Sequence, residues 1–374
     1  MKVVNSGDNI FSIYNDAMRV YEGLPPAVYS VQLSERSGFF LEKEEDFEIK
    51  ERKIYGEHMK KVEKIMRSFG KFNRNLGVIL SGDKGIGKTM FSTVLANECV
   101  KSGIPVIVVN KYNNGIASYI DDIQQNVMVL FDEFEKTFSK GNDDDDDEKN
   151  NPQVEMLSLF DGLSSGKKLF VVTCNDIYDL SRYIINRPGR FHYHIRFDYP
   201  TYDEVKKYLY DNIDEKYRDQ IDAVADFSNK TNLSYDCLRS IAFEINSGES
   251  FKDAIGDLNI MNIEDEHYDI IVSFDNGLEM KAKNVSIDFF DYDDTDGCPY
   301  AYFYGIGGYP ECRIDVNCVH AEYDPMRQAY FVNGDNIRVR EKSIDRDPED
   351  LLLNGVPTGA IMKRSKSAEY HYAL

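Results

Sequence analysis

Nowhere in the 374 residues is there an apolar run approaching the ~18 that a membrane-spanning helix needs. The first residues, MKVVNSGDNIFS, carry one lysine but no continuous apolar stretch behind it, so they do not read as a secretory signal. Together these absences exclude the membrane-spanning classes and predict a cytoplasmic protein. Runs rich in lysine and arginine are also missing. With 44 basic against 65 acidic residues the net charge is −21, and such a surface repels phosphate backbones unless a local basic stripe overrides it. Nucleic acid is therefore the less favoured partner. The six cysteines include no Cys-x-x-Cys pair, and the spacings of Cys298, Cys312, Cys318 and His320 are not those of a zinc ribbon or finger. In a chain without a signal these thiols are expected to be reduced.

What is present is enough hydrophobic residue, 42% of the chain, to build two or three domains. Apolar residues from Asn9 to Tyr21 recur at three and four, which predicts a short amphipathic helix. Val28–Leu33 and Phe39–Leu41 read as strands, and with that helix they make up an N-terminal attachment, residues 1–53. A helix is expected over Glu57–Phe69. Beyond it, Val78–Leu80, Val106–Val109, Val127–Phe131 and Leu169–Thr173 are continuous apolar runs alternating with helical stretches such as Thr89–Lys101 and Gln153–Leu163. Such runs belong to parallel strands covered on both faces, so residues 54–199 should form an α/β doubly wound parallel sheet.

Between the third and fourth of these strands, Asp143–Asp147 are five consecutive aspartates, which repel one another and predict a solvated loop. Residues 200–262 hold successive amphipathic segments and read as a helical lid. From residue 263 to 374 the texture is β-rich, and Asn276-Gly277 and Asn333-Gly334 each stand between strand-like runs, the signature of hairpins. Counted from Glu264, this C-terminal part has 22 acidic and 11 basic residues. It is expected to fold by itself and to bind a protein, so that ending the chain near Asn262 would leave basal catalysis intact.

Gly82-Asp83-Lys84-Gly85-Ile86-Gly87-Lys88-Thr89 fits G-x-x-x-x-G-K-[ST] and lies directly between an apolar strand and a helix. Glycines let successive backbone N–H groups turn inward around phosphate, and the helix N-terminus adds favourable partial charge. Lys88 reaches the β and γ phosphates and Thr89 holds Mg²⁺. The motif therefore predicts a site for nucleotide phosphates and Mg²⁺. Asp132 and Glu133 follow a buried strand, where one acid serves the Mg²⁺ shell through water and the other polarises the attacking water. Asn175 ends the strand LFVVT and can orient that water. Further on, Asn186-Arg187-Pro188-Gly189-Arg190-Phe191 precedes the strand YHIRF.

These four blocks in this order resemble the AAA+ ATPase superfamily, specifically its AAA branch, over about Ile54–Asn262. A P-loop NTPase fold with a helical lid is what the resemblance implies. It also implies that Lys88 and Thr89 act as Walker A, Asp132 and Glu133 as Walker B, and Asn175 as sensor 1. Arg187 and Arg190 would be fingers reaching a neighbouring subunit, Tyr55 and Gly56 would cradle adenine, and Arg239 could serve as sensor 2. Only 17 residues, NKYNNGIASYIDDIQQN, separate the second and third strands, room for one short helix. That shortening is similar to the mitochondrial Rieske-protein translocase type and its soluble bacterial and phage relatives. A ring of six or seven subunits that remodels a protein is the expectation, in a bacterium or in the host cytoplasm if phage-encoded. The alternatives are a nucleic-acid motor or loader, with tyrosines of AYFYG and AYFV stacking on bases, and an ATP-dependent scaffold.

Overall fold

The computed structural model describes residues 2–365 apart from 6–10, 15–18, 37, 46, 48–54, 56–57, 139–151, 162–165, 186, 188, 259, 261–265, 288–299, 305–309, 325 and 342–354. The acidic run Asp143–Asp147 and the adenine-cradle residue Gly56 lie outside the described residues. Two compact units divide the chain, Met1–Tyr199 and Pro200–Leu374.

In the first unit the strands are β1 (Lys2–Asn5), β2 (Phe11–Tyr14), β3 (Val28–Ser34), β4 (Gly38–Lys43), β5 (Leu76–Ser81), β6 (Val106–Val109), β7 (Val127–Phe131), β8 (Lys168–Cys174) and β9 (Phe191–Arg196). The helices are α1 (His58–Lys71), α2 (Lys88–Lys101), α3 (Ile116–Asp121), α4 (Phe134–Thr137) and α5 (Pro152–Asp161). Strands β5 to β8 are buried at every position, which is why they read as unbroken apolar runs. One seven-stranded sheet has the order β4-β3-β6-β7-β8-β5-β9, and every neighbouring pair is parallel except β3 with β4. This is the P-loop α/β sheet, with helices on both faces.

Period-2 alternation along the strands feeds two cores. Leu76, Val78 and Leu80 of β5 pack with Val62, Ile65 and Phe69 of α1 and with Phe91, Leu95 and Cys99 of α2. On the other face the rings of Phe131, Phe134, Phe160 and Phe170 meet edge to face or tilted, with Phe160 and Phe170 centroids 5.1 Å apart. The single turn α4 is anchored through fully buried Phe134, and this fixes the acids on either side of it.

Two expectations about the N-terminal part need correction. Phe11–Tyr14 is a strand paired with β1, not a helix. Over so few residues, apolar positions such as Phe11 and Ile13 satisfy a period of two as well as one of 3.6, and backbone pairing decides. Nor are β3 and β4 a separate attachment, because β3 adds in parallel to β6 with Val28 opposite Val106. The preceding segment is tied in as well. Gln125 accepts from the Leu24 N–H at 2.8 Å and returns a bond to its carbonyl at 3.0 Å, and Phe39 of β4 stacks on Tyr119 of α3 at 5.2 Å.

The second unit begins with α6 (Tyr202–Asn212), α7 (Ile221–Lys230), α8 (Tyr235–Ser247) and α9 (Phe251–Asp257). A capping box of Thr201 and Glu204 starts α6, and Gly248 in a left-handed conformation ends α8. The strands that follow are β10 (Glu266–Phe274), β11 (Glu279–Ile287), β12 (Tyr300–Tyr304), β13 (Pro310–Val316), β14 (Glu322–Asp324), β15 (Ala329–Asn333), β16 (Ile337–Glu341) and β17 (Pro357–Arg364). They form a sheet of order β11-β10-β17-β15-β14 and another of order β12-β13-β16. Residues of both, among them Val272, Val332, Met362, Ile314 and Ile337, share one core. Asn276-Gly277 does close a hairpin, between β10 and β11. Asn333-Gly334 does not: β15 pairs with β14 and β17, whereas β16 pairs with β13. The turn there carries the chain from one sheet to the other, and a Cβ on Gly334 would stand 2.1 Å from the Pro357 carbonyl oxygen. Close backbone approach, not hairpin chemistry, demands that glycine.

Helices and sheets of this unit are in contact. The Tyr202 and Tyr323 rings lie 5.4 Å apart, and the hydroxyl of Tyr268, itself 1% exposed, donates to the Asn229 carbonyl at 3.2 Å. Ending the chain after Asn262 is thus expected to lower the melting temperature of the remaining helices, contrary to the independence that the sequence suggested. An unchanged thermal transition of the truncated protein would show these contacts to be dispensable. Tyr330, from AYFV, belongs to the β core, a packing role that removes it from base stacking. Among the described residues no helix is long and apolar enough to cross a membrane.

Candidate nucleotide site

Three parallel neighbours, β7, β8 and β5, end together. Ser81 stands opposite Cys174 and Phe131 opposite Val172, so the loop after β5, the acids after β7 and Asn175 after β8 share one sheet edge. Ligands of open α/β sheets bind at such an edge.

Residues Gly82 to Gly87 link β5 to α2. Gly82 has φ +136°, and a Cβ there would meet the Phe197 carbonyl oxygen at 2.3 Å, so only glycine fits. Asp83 and Lys84 are exposed, Gly85 is half-buried with φ +76°, and Ile86 is buried in the core between strand and helix. Gly87, also left-handed, precedes α2, whose first two residues are Lys88 and Thr89. The Lys88 ammonium donates to the carbonyls of Gly82 at 2.5 Å and Asp83 at 2.7 Å and to Asn175 Oδ1 at 3.1 Å. Burial lowers its pKa, against the smaller opposing influence of Cys174, Glu135, Asp83 and Asp132. Burial also raises the neighbouring Cys174 thiol to about 12, which keeps it protonated and inert. Thr89 is exposed at the helix start.

Asp132 accepts from the Thr173 hydroxyl at 2.6 Å, and the same hydroxyl oxygen receives the Glu133 N–H at 2.8 Å. Thr173 thereby fixes both acids, a role the sequence did not reveal because it lies 41 residues from Asp132. Glu133 has φ +47° and ψ +53°, an uncommon conformation for a non-glycine residue that turns the chain sharply into α4. Its carboxylate is 49% exposed and pairs with Lys136 at 2.5 Å. The hydrogen bond from Lys136 holds the Glu133 carboxyl below the usual carboxylate range. Glu135, also unassigned from sequence, accepts from the backbone N–H of Asn175 at 3.0 Å and from its Nδ2 at 2.8 Å.

Glycines at positive φ, Gly82, Gly85 and Gly87, carry the backbone around this loop, the type of turn that points N–H groups at a phosphate. The oxygens of Thr89 and Asp132 are of the hard kind that Mg²⁺ takes, and the Thr173 hydroxyl engages Oδ1 of Asp132. Tyr55 is buried. Arg239 lies in α8 of the second unit, in an exposed ion pair with Asp236 at 3.2 Å.

Structure separates the two arginines of Arg187-Pro188-Gly189-Arg190. Arg187 is exposed. Arg190 is 6% exposed, its guanidinium bound in a fork to the Asp161 carboxylate, with Nη2 to Oδ2 at 2.5 Å, while Nη1 donates to the Tyr183 carbonyl at 2.5 Å. Arg190, just before β9, therefore ties the connection between β8 and β9 to the end of α5, and the expectation that it is a free finger gives way to that bond. Arg190→Ala should cost roughly 1.5–3 kcal/mol of stability, the range for a hydrogen bond to a charged group, and lower the thermal midpoint. Arg187→Ala should leave that midpoint unchanged and lower hydrolysis, with activity partly restored on mixing with Lys88→Ala protein. An unshifted midpoint for Arg190→Ala, or no recovery despite demonstrated co-assembly, would reverse these assignments.

The fold is that of a P-loop α/β domain. Residues 78–199 match the family described as ATPase family associated with various cellular activities (AAA), and that segment is an AAA ATPase domain. Similar proteins include the cell division cycle protein 48 homolog of Archaeoglobus fulgidus, 25% identical over 142 residues, which are 36% of this chain and 19% of that protein. Proteasome-activating nucleotidase 2 of Haloferax volcanii is 29% identical over 127 residues, 31% of each chain. The peroxisomal ATPase PEX1 of Dictyostelium discoideum is 25% identical over 167 residues, 42% of this chain and 12% of that protein. The matched stretch spans only 11% to 31% of the length of such relatives.

Proposed function

We propose that this chain is a Mg²⁺-dependent ATPase that assembles as a ring of six or seven subunits and remodels a protein partner. The observation that carries the reading is the meeting of Lys88, Asp132 and Asn175, from three separate segments, at the ends of three adjacent parallel strands. Lys88 supplies positive charge to the β and γ phosphates, and the backbone N–H groups of Gly85 to Lys88 supply further donors. Thr89 and Asp132 hold the Mg²⁺, which neutralises charge on the phosphates when bound. Glu133 takes the proton of the attacking water and Asn175 orients that water. Exposed Arg187 serves a neighbouring subunit's nucleotide, a contribution of about 10³–10⁵ in rate when a finger is in place.

A protein partner is favoured over nucleic acid by the net charge of −21 and by relatives named for cell division, proteasome activation and peroxisomes. The single six-residue helix α3 between β6 and β7 supports kinship with the Rieske-translocase type, which acts on a folded protein. Recruitment falls to the acidic β-rich sheets of the second unit. Two measurements test the reading: phosphate release with and without Mg²⁺, and electron microscopy with a slowly hydrolysed ATP analogue. Metal-dependent turnover and closed rings are expected. Absence of turnover by the intact protein would overturn the ATPase reading, and monomers at saturating analogue would overturn the ring.

A further inference from the structure

Two glutamates flank Phe134, and the turn sends them in different directions. Glu133 faces outward to Lys136. Glu135 faces Asn175, and one of its oxygens, Oε1, accepts both the backbone and the side-chain N–H of that residue. Its other oxygen is buried and has no hydrogen-bond partner among the described residues. A carboxylate so placed, beside a buried ammonium and with half its capacity unused, exceeds what a structural tie across the sheet edge requires.

The chemistry of the partners fixes the Asn175 amide. Lys88 can only donate, so the atom it meets at 3.1 Å must be the amide oxygen. The Glu135 oxygen that accepts the Asn175 backbone N–H is an acceptor here too, so the atom it meets at 2.8 Å is the amide nitrogen. A flipped amide would set donor against donor and acceptor against acceptor. With one Nδ2 hydrogen engaged by Glu135, the second is left for a ligand, at the residue that borders the phosphate loop through the Gly82 N–H bond to its carbonyl at 3.3 Å.

We propose that Glu135 is a positioning residue for ATP hydrolysis: by locking the Asn175 amide between itself and Lys88, it holds one amide N–H ready for the terminal phosphate, and so sets the preference of the site for ATP over ADP. This rests on the ATPase reading above. ADP lacks the group that N–H would meet, so Glu135 acts on triphosphate alone. Because Glu135 works through Asn175, removing both residues costs no more than removing Asn175.

The test uses the full-length chain and titrates ADP and a slowly hydrolysed ATP analogue into Glu135→Ala, Glu135→Gln, Asn175→Ala and the Glu135→Ala/Asn175→Ala double variant, with kcat measured in parallel. Glu135→Ala should bind the analogue roughly 10-fold or more weakly, as expected for loss of one hydrogen bond to a charged group, with ADP affinity within about twofold of the parent, a margin far below one such bond. Its kcat should fall, and the double variant should match Asn175→Ala. Glu135→Gln keeps an oxygen that can accept both Asn175 bonds and should recover most of the preference. Should Glu135→Ala not fold, Glu135→Asp, one methylene short of Asn175, takes its place. Equal weakening of ADP and analogue, additive losses in the double variant, or Glu135→Gln behaving like Glu135→Ala would each overturn the proposal. Parental turnover and preference in Glu135→Ala would overturn it while leaving the ATPase reading intact, whereas an intact protein without turnover fails that reading first.

Discussion

Lys88→Ala is expected to abolish ATP binding at ordinary nucleotide concentrations. Three acceptors surround the Lys88 ammonium, the carbonyl oxygens of Gly82 and Asp83 within the loop that would take phosphate and the amide oxygen of Asn175. Alanine removes the buried cation there and leaves that concentration of negative dipole to meet an anion. Truncating one partner of a desolvated charge pair costs about 2–5 kcal/mol, or roughly 30- to several-thousand-fold in Kd. Binding also stabilises the folded state by mass action. ATP should therefore raise the thermal midpoint of the parent and leave that of Lys88→Ala unmoved. An equal ATP-induced shift in both proteins would remove Lys88 from the site.

Glu133→Gln should do the opposite, keeping ATP bound while hydrolysis falls by about 10²–10⁴, the contribution of a positioned general base. Asp132 and Thr173 fix the metal-side carboxylate independently of the Glu133 side chain, so the pocket survives the change. Parental turnover in this variant would assign the proton to another group. Lys136 adds a pH signature. Its hydrogen bond depresses the Glu133 pKa, so the base remains ionised to lower pH and loses activity only as pH falls through that depressed value. In Lys136→Met the acid limb of the kcat profile should therefore move upward in pH. A profile unchanged on its acid side would show that Glu133 leaves Lys136 before the chemical step.

Much of the fold was legible because its information is local. Continuous apolar runs identified β5 to β8 to within two residues at each end, since strands covered on both faces tolerate no polar alternation. Where a segment was short, as at Phe11–Tyr14, two periods fitted equally and the pattern failed. The acids after β7 were recognisable from their place behind an apolar run, but which glutamate looks inward was not. Phe134 decides that, by filling the aromatic core and fixing the rotation of one helical turn.

Contiguous residues from Gly82 to Thr89 determined the glycine-rich turn between β5 and α2 by themselves, because glycine's backbone freedom and a helix N-terminus are properties of the chain that need no distant partner. Tertiary structure alone decided that β3 and β4 belong to the seven-stranded sheet, since a strand's hydrogen-bonding edge is the same whichever neighbour it joins. It also decided the fate of Arg190, bound to Asp161 across 29 residues, and the place of Glu135, bound to Asn175 across 40. A guanidinium or a carboxylate has the same chemistry in a finger, a fold tie or a sensor, and only the groups that the fold brings within about 3 Å select among those roles.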